Sequence, residues 1–267
     1  MRPRRFLAIL VRQFYLYRGS PARVLSLFAW IAIDIVLWGF MSRYLNTIAS
    51  PGYNFVPALL GAVLLWDFFT RVMQGVTMAF FEDVWSRNFL NIFGSPMSIT
   101  EYVMGLVLSS IATTCVGLAA MLLLAGVAFR LNVLMYGGAA LPFLGVLFLF
   151  GVALGIMASA LVLRLGPSAE WFIWPIPALI SPFAGVFYPL EVLPGWMQVV
   201  ARCIPPSYVF RNLRLLVRGG SVNPFDLLVG GILAIGYILL ACMIFTQTYR
   251  TVVRTGLVAR YSAESLS

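Results

Sequence analysis

The chain has 267 residues, 61% of them apolar and 10% charged, with a mean hydropathy of +0.95 and a formal net charge of +9. That composition lies far outside the soluble average and describes a polytopic helical membrane protein. All eighteen cations are Arg; without Lys or His the chain has no P-loop lysine, no HExxH zinc site and no His-based triad to offer.

The cysteines, Cys115, Cys203 and Cys242, are far apart and form no CxxC pair, so a zinc ribbon is not expected. Cys115 and Cys242 fall in predicted spans, where a small apolar side chain packs. The Arg residues flank hydrophobic runs and do not form one stripe, so no nucleic-acid partner is expected. Arg throughout residues 1–23 also argues against a cleavable signal, which needs an unbroken apolar region.

In chain order, Pro3–Arg18 predicts an amphipathic helix. At about 100° per residue Phe6, Leu7, Leu10, Phe14 and Tyr17 share a face, with Arg5, Arg12 and Gln13 opposite. Such a helix lies on an anionic leaflet; the plainer alternative is a basic flank of the first span. Span one is expected over residues 24–43, with Asp34 near its middle. After a polar loop at Asn46–Asn54, span two runs over Phe55–Ala79, with Asp67 near its middle and Arg71 one turn later. Charges at that depth are costly in lipid and must face protein or water. Asp67 and Arg71 are spaced to pair on one helix, which makes a structural ion pair the plain reading and a place in a cargo path the sharper one.

In the loop Phe81–Ser98, Glu82 and Asp83 suit a helix start, where acids complement the dipole. Phe81, Trp85, Phe89 and Ile92 make an apolar face, suited equally to a membrane surface or a protein groove. Span three is Glu101–Phe129. Span four lies within Leu131–Leu163 and is long enough to require tilt or a turn at Asn132–Gly138. Gly151 and Gly155 form a GxxxG that permits close helix packing.

Span five, Trp171–Leu190, holds twenty uncharged residues interrupted by Pro175, Pro177, Pro182 and Pro189. Its freed carbonyls need partners, so it is expected to be a broken helix against protein or a wet cavity. A turn at Glu191, Pro194 and Gly195 leads into a short helix, Trp196–Ile204. Pro205-Pro206 is expected to be a second turn, with Ser207 capping a helix that carries Arg211, Arg214 and Arg218. Together these form a hairpin dipping back into the interface. Glu191 is a candidate partner for Arg202 or Arg211. Trp171, Phe172, Trp174, Phe183, Phe187, Tyr188 and Trp196 crowd this region, as an interfacial belt or as stacking surface for cargo. Span six is Leu227–Tyr249, followed by a polar tail, residues 250–267.

Six spans put both termini on one side. Eleven Arg fall in the segments that include the termini and six in the opposite ones, so the positive-inside rule makes both termini cytoplasmic. No internal repeat is evident, against an inverted-repeat transporter. The whole chain, 1–267, reads as one transmembrane domain: an interfacial helix over 1–23, a six-span core over 24–249 and a tail over 250–267.

Two stretches carry a resemblance. Ala184-Gly185-Val186-Phe187-Tyr188-Pro189, Leu193-Pro194, Trp196, Pro205-Pro206 and Arg214 resemble the end of the fifth span and the re-entrant hairpin of type 2 ABC exporter permeases, which have the type V exporter fold and include polysaccharide, lipo-oligosaccharide and drug exporters. The acidic start and Ser95-Pro96 close of Phe81–Ser98 are similar to the cytoplasmic coupling helix of that family. The resemblance implies an all-α fold of six transmembrane helices with an interfacial helix, a coupling helix and an extracytoplasmic re-entrant hairpin. It implies two permease copies in a bacterial inner membrane and two separate cytoplasmic ATPase subunits that carry ATP and Mg, with no cofactor in this chain. Glu82, Asp83, Trp85, Arg87, Phe89 and Ile92 would contact the ATPase. Asp34, Asp67, Arg71, Trp174, Phe183, Phe187 and Tyr188 are candidates for the substrate path; Glu191, Pro194, Trp196, Pro205, Pro206 and Arg214 would form the hairpin. The expected cargo is an amphipathic or lipid-linked molecule, such as a glycan lipid, with a hydrophobic drug-like molecule close behind. An intramembrane enzyme and an ATP-independent scaffold or scramblase are the other classes; the enzyme would rest on Asp34 and Asp67, which sit in no recognisable catalytic motif.

Overall fold

The computed structural model describes residues 3–48, 55–86, 98–166 and 169–256. Among these there is helix and no strand. Arg87, Phe89, Ile92, Ser95, Pro96, most of the 46–54 loop and the tail beyond 256 lie outside the described residues.

Helix α1 (Pro3–Arg18) ends at Gly19, and α2 (Pro21–Ile48) starts on a proline, whose fixed φ and missing N–H suit the first helical turn. A π-helical turn, Val56–Leu60, leads into α3 (Gly61–Trp85). Helix α4 (Ile99–Phe129) opens with a capping box. The Glu101 N–H donates to Ser98 Oγ at 3.3 Å, and Ser98 N–H donates to Glu101 Oε2 at 3.0 Å. A 3-10 segment, Val133–Ala139, kinked at Gly137, supplies the turn expected before span four, and α5 (Ala140–Leu165) follows. Helix α10 (Pro224–Arg254) closes the described chain.

Among the described residues five helices are long and apolar enough to cross a membrane: Phe28–Ile48, Val56–Trp85, Ile99–Phe129, Tyr136–Leu165 and Pro224–Arg254. The expected fifth span is not among them. Its prolines leave a single turn, α6 (Glu170–Ile173), and a short helix, α7 (Ile176–Ala184), which ends at Gly185. Helix α5 is the centre of the bundle, with 78% of its apolar window buried against 17% for α10. It packs most extensively on α10 and α3.

The GxxxG is used at the α3–α5 contact. A Cβ on Gly151 would stand 2.9 Å from Val72 Cβ and 3.0 Å from the Phe69 carbonyl oxygen; one on Gly155 would stand 2.7 Å from Val76 Cβ and 2.8 Å from the Met73 carbonyl oxygen. The two backbones approach as closely as the absence of side chains allows.

Contacts define the two ends of the bundle. At one end α1 meets the last turn of α3, and Phe80 of α3 meets Phe245 of α10 edge to face. At the other, Arg43 of α2 lies 5.0 Å from the Phe129 ring at the end of α4. The broken α6–α7 segment carries the chain between them: Ile173 and Trp174 sit near Phe81, whereas Phe187 stacks on Trp38 at 4.7 Å. The described parts of both terminal helices, α1 and α10, therefore reach the same end.

Helix α1, expected to lie on a leaflet by its apolar face, also docks on the bundle through the side that carries Arg12 and Gln13. Ile9 and Gln13 are buried on the bundle, and Arg12 reaches into it, while Leu7, Val11 and Phe14 stay exposed one or two turns apart. The mixed face holds the protein; the apolar stripe is left for lipid.

Candidate functional site

One face of α3 is polar for most of its length. Asp67, Thr70, Arg71, Gln74, Gly75, Met78, Glu82 and Trp85 recur at helical spacing and border one cavity of about 600 Å³. Asp67 to Trp85 spans about 27 Å at 1.5 Å per residue, close to the thickness of a hydrocarbon core. The opposite face carries Phe69, Val72, Met73, Val76 and Phe80, all fully buried. Trp30 and Asp34 of α2, Thr113 and Thr114 of α4, and Trp174 after α6 close the other walls.

The three intramembrane charges expected from sequence therefore share one chamber, and Arg71 acts electrostatically on both Asp34 and Asp67. Room for Arg71 comes from Gly117 of α4, where a Cβ would lie 3.3 Å from Arg71 Cδ.

Two hydroxyls of the chamber wall, on Thr70 and Thr114, differ from most of those in the bundle. Away from the cavity Ser42, Thr77, Ser159 and Thr246, and at its wall Thr113, donate back to the carbonyl four residues earlier, at 2.7, 2.9, 2.8, 2.7 and 3.1 Å. That is the usual way a helix in lipid satisfies a hydroxyl. The buried Oγ1 atoms of Thr70 and Thr114, and Asp67 Oδ2, have no hydrogen-bond partner among the described residues. Buried polar atoms are normally partnered, so these three are placed to meet water or a ligand.

Asp83 has a different role. The sequence places it at a helix start; the structure places it in the last turn of the 25-residue α3, where an acid opposes the dipole. It is fully buried and held by an ion pair with Arg12 of α1 and by Tyr102 of α4, whose hydroxyl donates to Asp83 Oδ2 at 2.7 Å. Phe81, expected on an exposed apolar face, is buried, with Trp85 stacked on it and half exposed. The helix does not break after Ala79 because the GVTMAFFEDVW run offers no breaker once Gly75 is packed against Ser110.

Phe183, Phe187 and Tyr188 are not brought to the chamber. Phe187 stacks on Trp38, Phe183 meets the Trp196 ring at 6.5 Å, and Tyr188 donates its hydroxyl to the Pro182 carbonyl at 3.1 Å. Tyr188 and Phe183 thus brace the broken helix, and only Trp174 of the aromatic cluster lines the cavity.

The hairpin residues do meet. Gly185 ends α7 in the left-handed region (φ 63°), which a side chain disfavours, and its carbonyl accepts from the Arg214 guanidinium. A helix end leaves carbonyls unpaired, and a cation there also complements the dipole. Helix α8 (Gly195–Arg202) follows Glu191 and Pro194 and carries exposed Trp196. Helix α9 (Pro205–Val217) starts on Pro205 and Pro206 themselves, both buried in its first turn; they are not a separate turn. Ser207 is not its cap and donates to the Ile204 carbonyl at 2.8 Å. Arg211 pairs at 3.6 Å with Asp226 and not with Glu191. Replacing Arg214 with Leu should leave the Gly185 carbonyl unpaired and lower stability by about 1–3 kcal/mol, read as a fall in thermal midpoint of the detergent-solubilised protein.

Thr70 and Gln74 are chamber residues that a search for isolated charges passes over, and Glu82, expected at the ATPase contact, borders the chamber as well. Their signal is the helical period of polar residues continuing from Asp67 through α3. Thr113 and Thr114 had no such signal, because α4 is apolar on average and only its packing turns them inward.

No curated protein matches the sequence. The family model for ABC-2 type transporters matches residues 4–217, which takes in α1 to α9, the chamber and the hairpin. With several helices of membrane-spanning length and that match over most of its residues, the chain is an integral membrane protein that belongs to the ABC-2 type transporter family, as its permease component, with ATP hydrolysis carried by a separate subunit.

Proposed function

We propose that two copies of this permease and two cytoplasmic ATPase subunits form an exporter that moves an amphipathic or lipid-linked molecule out of the cytoplasm or the inner leaflet of a bacterial plasma membrane. The observation that carries the reading is the polar face of α3, which runs about one hydrocarbon thickness, roughly 27 Å, beside a chamber holding unsatisfied polar atoms. Asp34, Asp67, Arg71 and Trp174 form its intake, and the Phe183, Phe187 and Tyr188 cluster stands toward the exit. Counting the broken α6–α7 segment as a sixth crossing puts both termini in the cytoplasm. Glu82 and Trp85 at the end of α3, with Arg87, Phe89 and Ile92 beyond, then meet the ATPase, whose ATP-driven closure rocks α3; Asp83, buried between Arg12 and Tyr102, is not part of that contact. The hairpin of α8 and α9 is re-entrant at the outer surface.

The cavity volume favours the drug-sized form of this cargo: about 600 Å³ lies within the usual range for small-molecule pockets and is small for a glycan chain. The test is Asp67→Asn in the permease–ATPase complex reconstituted in vesicles. Cargo efflux should fall by at least about tenfold, with assembly unchanged. Normal efflux would assign Asp67 a structural role and remove the path from α3, and failure of any ATPase to co-purify would favour a scaffold or scramblase.

A further inference from the structure

We infer that the chamber selects a lipophilic organic cation. The inference rests on the chamber being the cargo path. Among the described residues that line it, three are acids, Asp34, Asp67 and Glu82, and one is a guanidinium, Arg71. The rest of its wall is rich in indole: Trp30, Trp85 and Trp174. Carboxylates beside aromatic faces are the combination that holds a delocalised cation, because the ring quadrupole and the acid charge attract the same sign. An anion would meet the same acids with Arg71 as the one cation among the described lining residues, and in a weakly screened site that repulsion is large.

The wall is also incomplete as it stands. Thr114 is only 3% exposed, borders the cavity, and its Oγ1 has no hydrogen-bond partner among the described residues. Asp67 Oδ2 is in the same position. Room for a bulky apolar body is present in the same cavity, so charge and hydrophobic volume are met together.

The two ions tetraphenylphosphonium and tetraphenylborate share size and shape and differ in the sign of their charge. Each is measured separately by equilibrium binding to the full chain in nanodiscs of uncharged lipid, with empty nanodiscs subtracted. The phosphonium should bind saturably and at least about tenfold more tightly than the borate. Asp34→Asn with Asp67→Asn should weaken phosphonium binding by about tenfold or more. Trp174→Leu should weaken it severalfold. Arg71→Gln should strengthen it severalfold, a direction that misfolding does not produce. Equal saturable binding of the borate, or phosphonium binding untouched by the two Asn substitutions, would overturn the inference. The ATPase is absent from this assay, so the export reading is tested apart: if phosphonium binds as expected but does not stimulate ATP hydrolysis in the assembled complex, the cation site stands and the cargo-path reading fails.

Discussion

Arg12→Ala is expected to destabilise the bundle by about 3 kcal/mol, the low end for breaking a buried ion pair because Arg12 keeps 29% of its side chain exposed. The loss arises from what is left behind. Asp83 is buried at the end of α3, where the helix dipole already disfavours an anion, and Tyr102 alone cannot replace a guanidinium. Asp83→Asn made in the same chain should recover a large part of the loss, because a neutral amide no longer needs the cation. A double-mutant cycle on thermal or denaturant unfolding in detergent measures this coupling. Additive effects of the two substitutions would show that the pair is not coupled and that α1 is held by its other contacts, Ile9 and Gln13 among them.

The second large effect is expected at Gly155. Valine there drives a side chain into Val76 and into the Met73 carbonyl, and a backbone atom in the middle of a helix cannot move aside. The cost should be about 2–3 kcal/mol or more, seen as loss of the monodisperse peak on gel filtration and a lower midpoint of unfolding. Gly145 on the same helix is the matched control, since a Cβ there meets nothing within 4 Å. Gly145→Ala should be neutral or stabilise by about 0.5–1 kcal/mol through helix propensity alone. Equal tolerance at both positions would mean that α3 and α5 are not in the contact described.

Much of the framework was legible because its causes are local. Hydropathy marked four of the long helices to within a turn or so, and proline marked the break at 175–189 by removing donors in the segment itself. The GxxxG and the Gly185–Arg214 motif were visible as residues, although not as an interface and a bond. The acids at 82 and 83 were placed at a helix start because dipole reasoning weighed only the charges beside them; the run after Gly75 holds no breaker, and α3 continues through it to Trp85. Ser207 was given a cap for the same reason, when the prolines before it already supply the first turn.

The sequence by itself determined a helical membrane protein with a proline-broken apolar segment before its last long helix and charges too costly to face lipid, because transfer energies and backbone restrictions act within each segment. Only the tertiary structure decided which of those charges stand together. It brought Arg12 to Asp83 across 71 positions and gathered Asp34, Asp67, Arg71 and Trp174 around one chamber, while Phe183 and Tyr188 went to bracing the broken helix and Phe187 to stacking on Trp38. A helix can bury either of two faces at similar local cost, and the choice is made by the neighbours it packs against.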